Sequence, residues 1–499
     1  MKLFLIIVIS VFSIVAKAQQ FKIDTGEEFE VPKHVWSNTV LDADNTGFYF
    51  LRNKSGMNRT MLLHKIDKST AKTIYIKELD FEYNNAFNKN GKLLFFSFGG
   101  KNTNYLSNKS SLEIKLREVN SSNGELIGEP LFIDEIFSKN EKQVLSFDVS
   151  FSPDDKYILM TSSLKENEKL QQVICRLYET KNYKKVWEKE PITVYKNSTI
   201  SSSQYKVDNS GTLIYSFAFI RSEFKNSDGK QDISFGIALE SPNRILKINE
   251  IPSENKTLDL MKIELLNNTL VCTGTFNEGE KDIAYNAKRG FFLITIEPES
   301  MVIKTESFNC IDEVVKSKLI KSDKNGAKID WDKRTIFYLN NSYYVVWEYS
   351  EYMAGYNGYA KINYPDAITT IKYTKEKTMD WMKVLPMSLL INTIGLNFLI
   401  TDKLHFIYYE NSENLINFPD IDNAIPKEYK AADLNKSNVI CATIDETGKI
   451  KRKIIPIKEK IKLEENDPLK MFNTESKTLI IPVNVTERSM RYDVLKIEN

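Results

Sequence analysis

One phrase recurs along the chain: a polar turn, a short apolar run, a longer polar loop, then two further strand-like runs. Asn90-Gly91-Lys92 leads into an apolar run at 93–98, and Pro153-Asp154-Asp155-Lys156 into one at 157–163. Asn209-Ser210-Gly211-Thr212, Asn267-Asn268-Thr269, Asn340-Asn341-Ser342 and Thr401-Asp402-Lys403 lead into runs at 213–219, 270–276, 343–350 and 404–410. Self-similarity at a period of about 45–60 residues, carried by strands, is the mark of a β-propeller.

This pattern divides the chain into blades at 34–80, 81–140, 141–195, 196–252, 253–307, 308–386 and 387–461. In the first blade, strands are expected at 46–52, 60–66 and 73–79. The remainder, 462–499, offers three strands, at 469–472, 478–483 and 492–497. A ring must close or leave strand edges unpaired, and the segment 21–31 can supply the fourth strand. The expected fold class is therefore all-β: a single β-propeller of about eight four-stranded blades, with seven as the alternative, closed by an N-terminal strand.

Near-continuous apolar runs such as Leu93-Leu94-Phe95-Phe96 and Tyr343-Tyr344-Val345-Val346-Trp347 read as inner strands buried on both faces. Glu113-Ile114-Lys115-Leu116-Arg117 alternates and reads as an outer strand. First-to-second strand connections are short: Asn45-Thr46-Gly47, Asn90-Gly91, Asp154-Asp155 and Ser210-Gly211. Such pairs tolerate the positive φ of tight hairpins. Three long insertions stand out, at 307–328 (weakly helical over 312–321), 350–366 and 410–437. Blade-to-blade and second-to-third strand connections emerge on one face of a propeller, so all three are expected there.

The first residues add a leader. Lys2 precedes an apolar run over 3–15 and an Ala16-Lys17-Ala18 cleavage site. The run is shorter than the roughly 20 residues of a membrane span. The expected division is a signal peptide at 1–18 and a propeller domain at 19–499, with the mature chain exported to the periplasm, cell surface or medium. Loss of Lys2 and Lys17 takes 68 basic against 67 acidic residues to 66 against 67. A near-neutral chain has no global field to attract nucleic acid or anionic lipid. The lysines of 449–462 read as protection of a strand edge. Cys175, Cys272, Cys310 and Cys441 show no zinc spacing. Export permits a disulfide among three possible pairings, but apolar surroundings favour buried small hydrophobes.

The run Phe151-Ser152-Pro153-Asp154-Asp155-Lys156-Tyr157-Ile158-Leu159 resembles the turn-and-strand repeat of TolB-type, WD-repeat-like propellers, with Asp155 in place of the usual Gly. The later blades resemble large exported propeller-like proteins of bacteria. The resemblance implies a propeller fold and a binding role, and it brings no catalytic residues.

Candidate chemistry is sparse. His34, His64 and His405 are the only histidines, without metal-ligand spacing, and no nucleophile elbow or phosphate loop exists. His405 sits in an apolar strand and reads as a satisfied core residue. The Asp box of sialidase-type propellers is missing. Asp42-Ala43-Asp44-Asn45-Thr46-Gly47 begins like a calcium loop, but Asn53 stands where the bidentate Glu belongs, so it reads as an Asx turn. The pairs Asp154/Asp155 and Asp420/Asp422 read as turn and solvated residues. No catalytic residue, metal or cofactor is therefore expected. The candidate ligand-binding residues are Tyr352, Tyr356, Tyr359 and Tyr364, beside Tyr349 on a loop with Gly355 and Gly358. Such tyrosines offer rigid amphipathic contact area. The expected function is a non-enzymatic binding or scaffold propeller for protein, peptide or glycan; the alternative is a hydrolase or lyase at the central channel.

Overall fold

Asn-Gly and Asn-Asn pairs shape the turns from which the blades are built. Asn90 and Gly91, Asn267 and Asn268, and Asn340 and Asn341 all have positive φ, between 48° and 74°. Each pair closes a two-residue hairpin: Lys89 pairs with Lys92, Leu266 with Thr269 and Leu339 with Ser342. Turns of this hand match the right-handed twist of the strands they join. The computed structural model describes residues 20–498 except 31–34, 55–60, 82, 99–110, 138–142, 167–168, 197, 200, 226–230, 244–245, 253–255, 279–287, 311–327, 354–360, 363–365, 377, 388–396, 420, 422–429, 431–436, 457–477 and 487–488.

The first blade pairs Val35–Ala43, Gly47–Lys54, Met61–Asp67 and Thr73–Leu79 in that order, all antiparallel. Six more four-stranded meanders follow. They run from Asn85–Lys89 to Leu126–Phe137, from Gln143–Phe151 to Lys185–Lys189 and from Ser201–Val207 to Leu246–Glu250. The last three run from Lys256–Leu266 to Ile303–Cys310, from Lys328–Leu339 to Met379–Met387 and from Asn397–Ile400 to Ile450–Ile454. The chain is an eight-bladed β-propeller. The fifth blade ends at Cys310, three residues beyond the expected boundary, because Ser307 to Cys310 continue the outer ladder opposite Leu293 to Gly290. The alternating run at Glu113–Arg117 lies in the third strand of its blade, Ser111–Asn120, not the outermost. Burial of Ile114 and Leu116 against the next blade produces that alternation.

The core sits between blades. Phe48, Phe50 and Tyr492 belong to a cluster joining the seventh, eighth and first blades. Separate clusters fill the other six seams, one of them around Trp347 between the fifth and sixth blades. Each buried aromatic contributes roughly 1.5–3 kcal/mol, so stability is spread around the ring. Donors on one blade also reach turn carbonyls of the next: Lys65 Nζ to Ser121 O at 3.0 Å, Asn249 Nδ2 to Met301 O at 2.8 Å, and Trp381 Nε1 to Glu446 O at 3.0 Å.

The eighth blade closes the ring as expected, with one refinement. Of the three C-terminal strands, Thr478–Thr486 and Ser489–Glu498 are present, and 469–472 lies outside the described residues. The N-terminal segment pairs with Ser489–Glu498 in two pieces, Gln20–Asp24 and Phe29–Glu30, rather than as one strand. Between them Gly26 N donates to Asp493 Oδ1 at 3.1 Å. A Cβ at Gly26 would lie 2.1 Å from Tyr492 O, so only glycine allows this approach. No helix among the described residues is long and apolar enough to cross a membrane.

Candidate functional site

Strand order determines where the insertions leave the ring. In the sixth blade Lys328 pairs with Tyr352 and Asp366 with Met387; in the seventh Asn411 pairs with Ser437; in the fifth Gly290 pairs with Cys310. These residues all lie at the same end of their blades. The connections 311–327, 354–365 and 412–436 therefore start and finish on one face, over three consecutive blades.

The second insertion is shorter as a loop than expected. Ser342–Met353 continues as strand through Tyr349 and Tyr352, and Lys361–Ile362 pairs back onto Tyr352 and Met353. Tyr352 is thus a strand residue at the rim. Tyr356, Tyr359 and Tyr364 lie outside the described residues, as do Asp420, Asp422 and the expected helix at 312–321.

The third insertion has a built base. Asn411 caps a six-residue helix, Ser412–Asn417, by accepting from Glu413 N. Asn414 Nδ2 donates to Glu410 Oε1 and to Lys430 O, both at 2.8 Å, and Asn414 Oδ1 accepts from Lys430 N at 2.9 Å. One side chain thereby ties both arms of the insertion together. Arg452 meets Glu410 at 3.2 Å, each side chain 2% exposed, and also donates to Phe418 O. Tyr408 OH donates to Glu410 at 3.3 Å. Phe418 and the buried Ile421 reach the cluster of Trp347 and Phe291. The insertion starts on the seventh blade and packs at the seam of the fifth and sixth, where the other two insertions arise. The sequence contained one signal for this base: Asn411 followed by Ser412-Glu413 is a helix start. The buried role of Glu410 and Arg452 had none.

Several described groups that could carry chemistry are engaged in the fold. His405 has Thr401 Oγ1 and Thr443 Oγ1 at 2.9 Å on its two nitrogens, the satisfied core histidine expected. Cys175, Cys272 and Cys441 are buried and form no disulfide, while Cys310 is exposed. Burial pushes the Cys175 and Cys441 thiols up to about 12, which removes their nucleophilic form at neutral pH. Asp44 forms an Asx turn: one oxygen accepts from Thr46 N, Thr46 Oγ1 and Gly47 N, and the other from Tyr49 and Lys65. Burial would raise its pKa, but these donors hold it below the usual value. The described groups of His, Cys, Asp and Glu include none that could hold a metal ion. Asp154 and Asp155 lie in the hairpin turn expected for them.

No protein-family model matches the chain, and no curated protein does. Solved structures with related architecture include the WD40 domain of SCAP from fission yeast, at 10% identity over 96% of this chain and 98% of that one, TM-score 0.40. A quinohemoprotein alcohol dehydrogenase from Comamonas testosteroni matches at 8% identity over 95% and 76%, TM-score 0.42. The polysaccharide lyase Uly1 matches at 9% identity over 95% and 99%, TM-score 0.38. Scores of this size carry no argument about function; the eight-bladed ring rests on the strand order above.

Proposed function

We propose that this chain is an exported, non-enzymatic binding propeller that engages protein, peptide or glycan through its insertion face. The supporting observation is convergence: three insertions arise on one face over neighbouring blades, and the third is fastened by a buried ion pair and packs at the origin of the other two. Long loops on a rigid scaffold are a common place for binding. Under this reading Tyr352, Tyr356, Tyr359 and Tyr364 supply the contact area, the leader at 1–18 directs export, and the TolB-type resemblance reflects a shared binding role.

The test is a triple variant, Tyr352→Ala, Tyr356→Ala and Tyr359→Ala, assayed on peptide and glycan arrays and against proteins of the native envelope. Binding should weaken by roughly 2 kcal/mol or more if one ring is a hot spot, with the melting temperature unchanged. Unaltered binding would sink the proposal. A large fall in melting temperature would show that the tyrosines hold the loop instead.

A further inference from the structure

The seam where the N-terminal segment closes the ring contains a buried histidine in an unusual setting. His64, on Met61–Asp67 of the first blade, is 2% exposed. Neither ring nitrogen has a hydrogen-bond partner among the described residues. Its ring lies 5.4 Å from Phe29 of the closing segment and 6.5 Å from Tyr492 of the eighth blade. The guanidinium of the buried Arg52 sits 4.4 Å above the Phe29 ring and donates to Tyr492 Oη at 3.0 and 3.2 Å. Tyr492 in turn stacks on Phe50, with centroids 4.1 Å apart. Phe29 therefore covers a site made of one cation, one phenol and one uncharged imidazole.

Among the described residues, the groups facing His64 give a protonated imidazole no help. Its own blade supplies Arg52, a like charge; the eighth blade supplies Tyr492; and the closing segment supplies Phe29. Glu27, Glu28 and Glu30 of that segment are exposed, and Glu28 accepts from Ser489 Oγ. Asp493, next to Tyr492, is paired with Arg491 at 2.9 Å. By contrast, His405, on the seventh blade, has a threonine on each nitrogen.

We propose that the closing seam is an acid-sensitive latch, in which protonation of His64 beside Arg52 drives release of the Phe29 segment from the first and eighth blades. Burial first, and the charge of Arg52 second, push the His64 pKa from 6.5 down to about 3 in the closed ring. A released seam exposes the imidazole to water and restores its ordinary value. The open form then binds a proton that the closed form refuses, so acidification below about 6.5 favours opening. The window ends near pH 3. Asp24, which Lys496 holds below its usual value against the opposing effect of burial, adds to opening only at the acid end of that window.

The test is amide hydrogen exchange of the full chain between pH 7.5 and 4.5, corrected for the intrinsic pH dependence of exchange. In the wild type the opening constant of 20–30 and 489–498 should rise by up to about tenfold per pH unit below 6.5, ahead of the other blades. His64→Leu should flatten that rise above pH 5, and His405→Leu should leave it intact. An unchanged slope in His64→Leu, or opening spread evenly over all blades, would overturn the latch. Should His64→Leu fail to fold, C2–H exchange of the wild-type imidazoles decides the matter. A His64 ring that titrates near 6.5 while the seam stays closed would refute the proposal, and one that resists protonation until the seam opens would support it.

Discussion

Asp155 shows how one residue can depart from a repeat without harming it. A glycine is usual at this turn position, and Asp155 adopts φ 58° there. Asp is among the few side chains that tolerate the left-handed region. Its carboxylate meets Lys89 Nζ of the preceding blade at 2.6 Å, so it adds a contact between blades that glycine lacks. Asp155→Gly exchanges that half-exposed pair, a term of about 0–1 kcal/mol, for relief of backbone strain; its stability should stay within about 1 kcal/mol of wild type. Asp155→Ala loses the pair and keeps the strain, and should cost about 1–2 kcal/mol. Equal denaturation midpoints for the two variants would contradict this account. Positive φ also recurs in a second kind of turn, at positions that sequence reading did not single out. Ala71, Gly124, Tyr183 and Met301 all have φ between 57° and 74° at the fifth position of a third-to-fourth strand turn. Each donates its N–H to the carbonyl four residues earlier. Burial of Ala71 and Met301 offsets their strain. The repeat in these turns is one of backbone shape, with different side chains meeting it.

The third insertion shows which interactions hold a functional element in place. The side chains of Glu410 and Arg452 are both buried and face each other as an ion pair. Arg452→Leu removes the cation that faces the buried Glu410 carboxylate in the described pair and should cost about 3–5 kcal/mol. Asn414→Ala removes the ties to Glu410 and both backbone bonds to Lys430, and should cost about 1–3 kcal/mol. If the base positions the insertion, Asn414→Ala should speed proteolysis within 412–436 with little change in the other blades; uniform acceleration would argue against a local role. The strands and short turns were legible because apolar runs and Asn-Gly pairs act locally, and 73–79 coincides with its strand. The eight blades and their closure followed from the same pattern. The Glu410–Arg452 pair joins residues 42 apart, and nothing local distinguishes either from a surface charge. For the candidate tyrosines, an apolar-aromatic run continuing past Trp347 was the missed hint that Tyr349 and Tyr352 extend the strand. Tyr356, Tyr359 and Tyr364 lie beyond the described residues, so their role rests on sequence chemistry.

A ring is only as stable as its closing seam. Seven blades follow one another along the chain, and the eighth joins Gln20–Asp24 and Phe29–Glu30 to Ser489–Glu498. Gln20 pairs with Glu498, so the two ends of the described chain lie side by side. Lys496 Nζ also donates to Ser69 O of the first blade at 2.7 Å, which ties the eighth blade to the turn it meets. Removing 20–30 strips the outer ladder from Ser489–Glu498 and uncovers His64, Arg52 and Tyr492. In a ring where each blade packs only on its neighbours, a lost seam exposes two blade faces at once. The truncated chain should melt well below the full one, in one transition that involves every blade. Gly26→Ala is the point version of this deletion, because its Cβ would run into the Tyr492 carbonyl. Forced repacking costs about 1–3 kcal/mol, so the substitution should shift the melting temperature in the same direction but less far. Melting temperatures of both variants equal to wild type would show that the remaining seven seams hold the ring without its clasp.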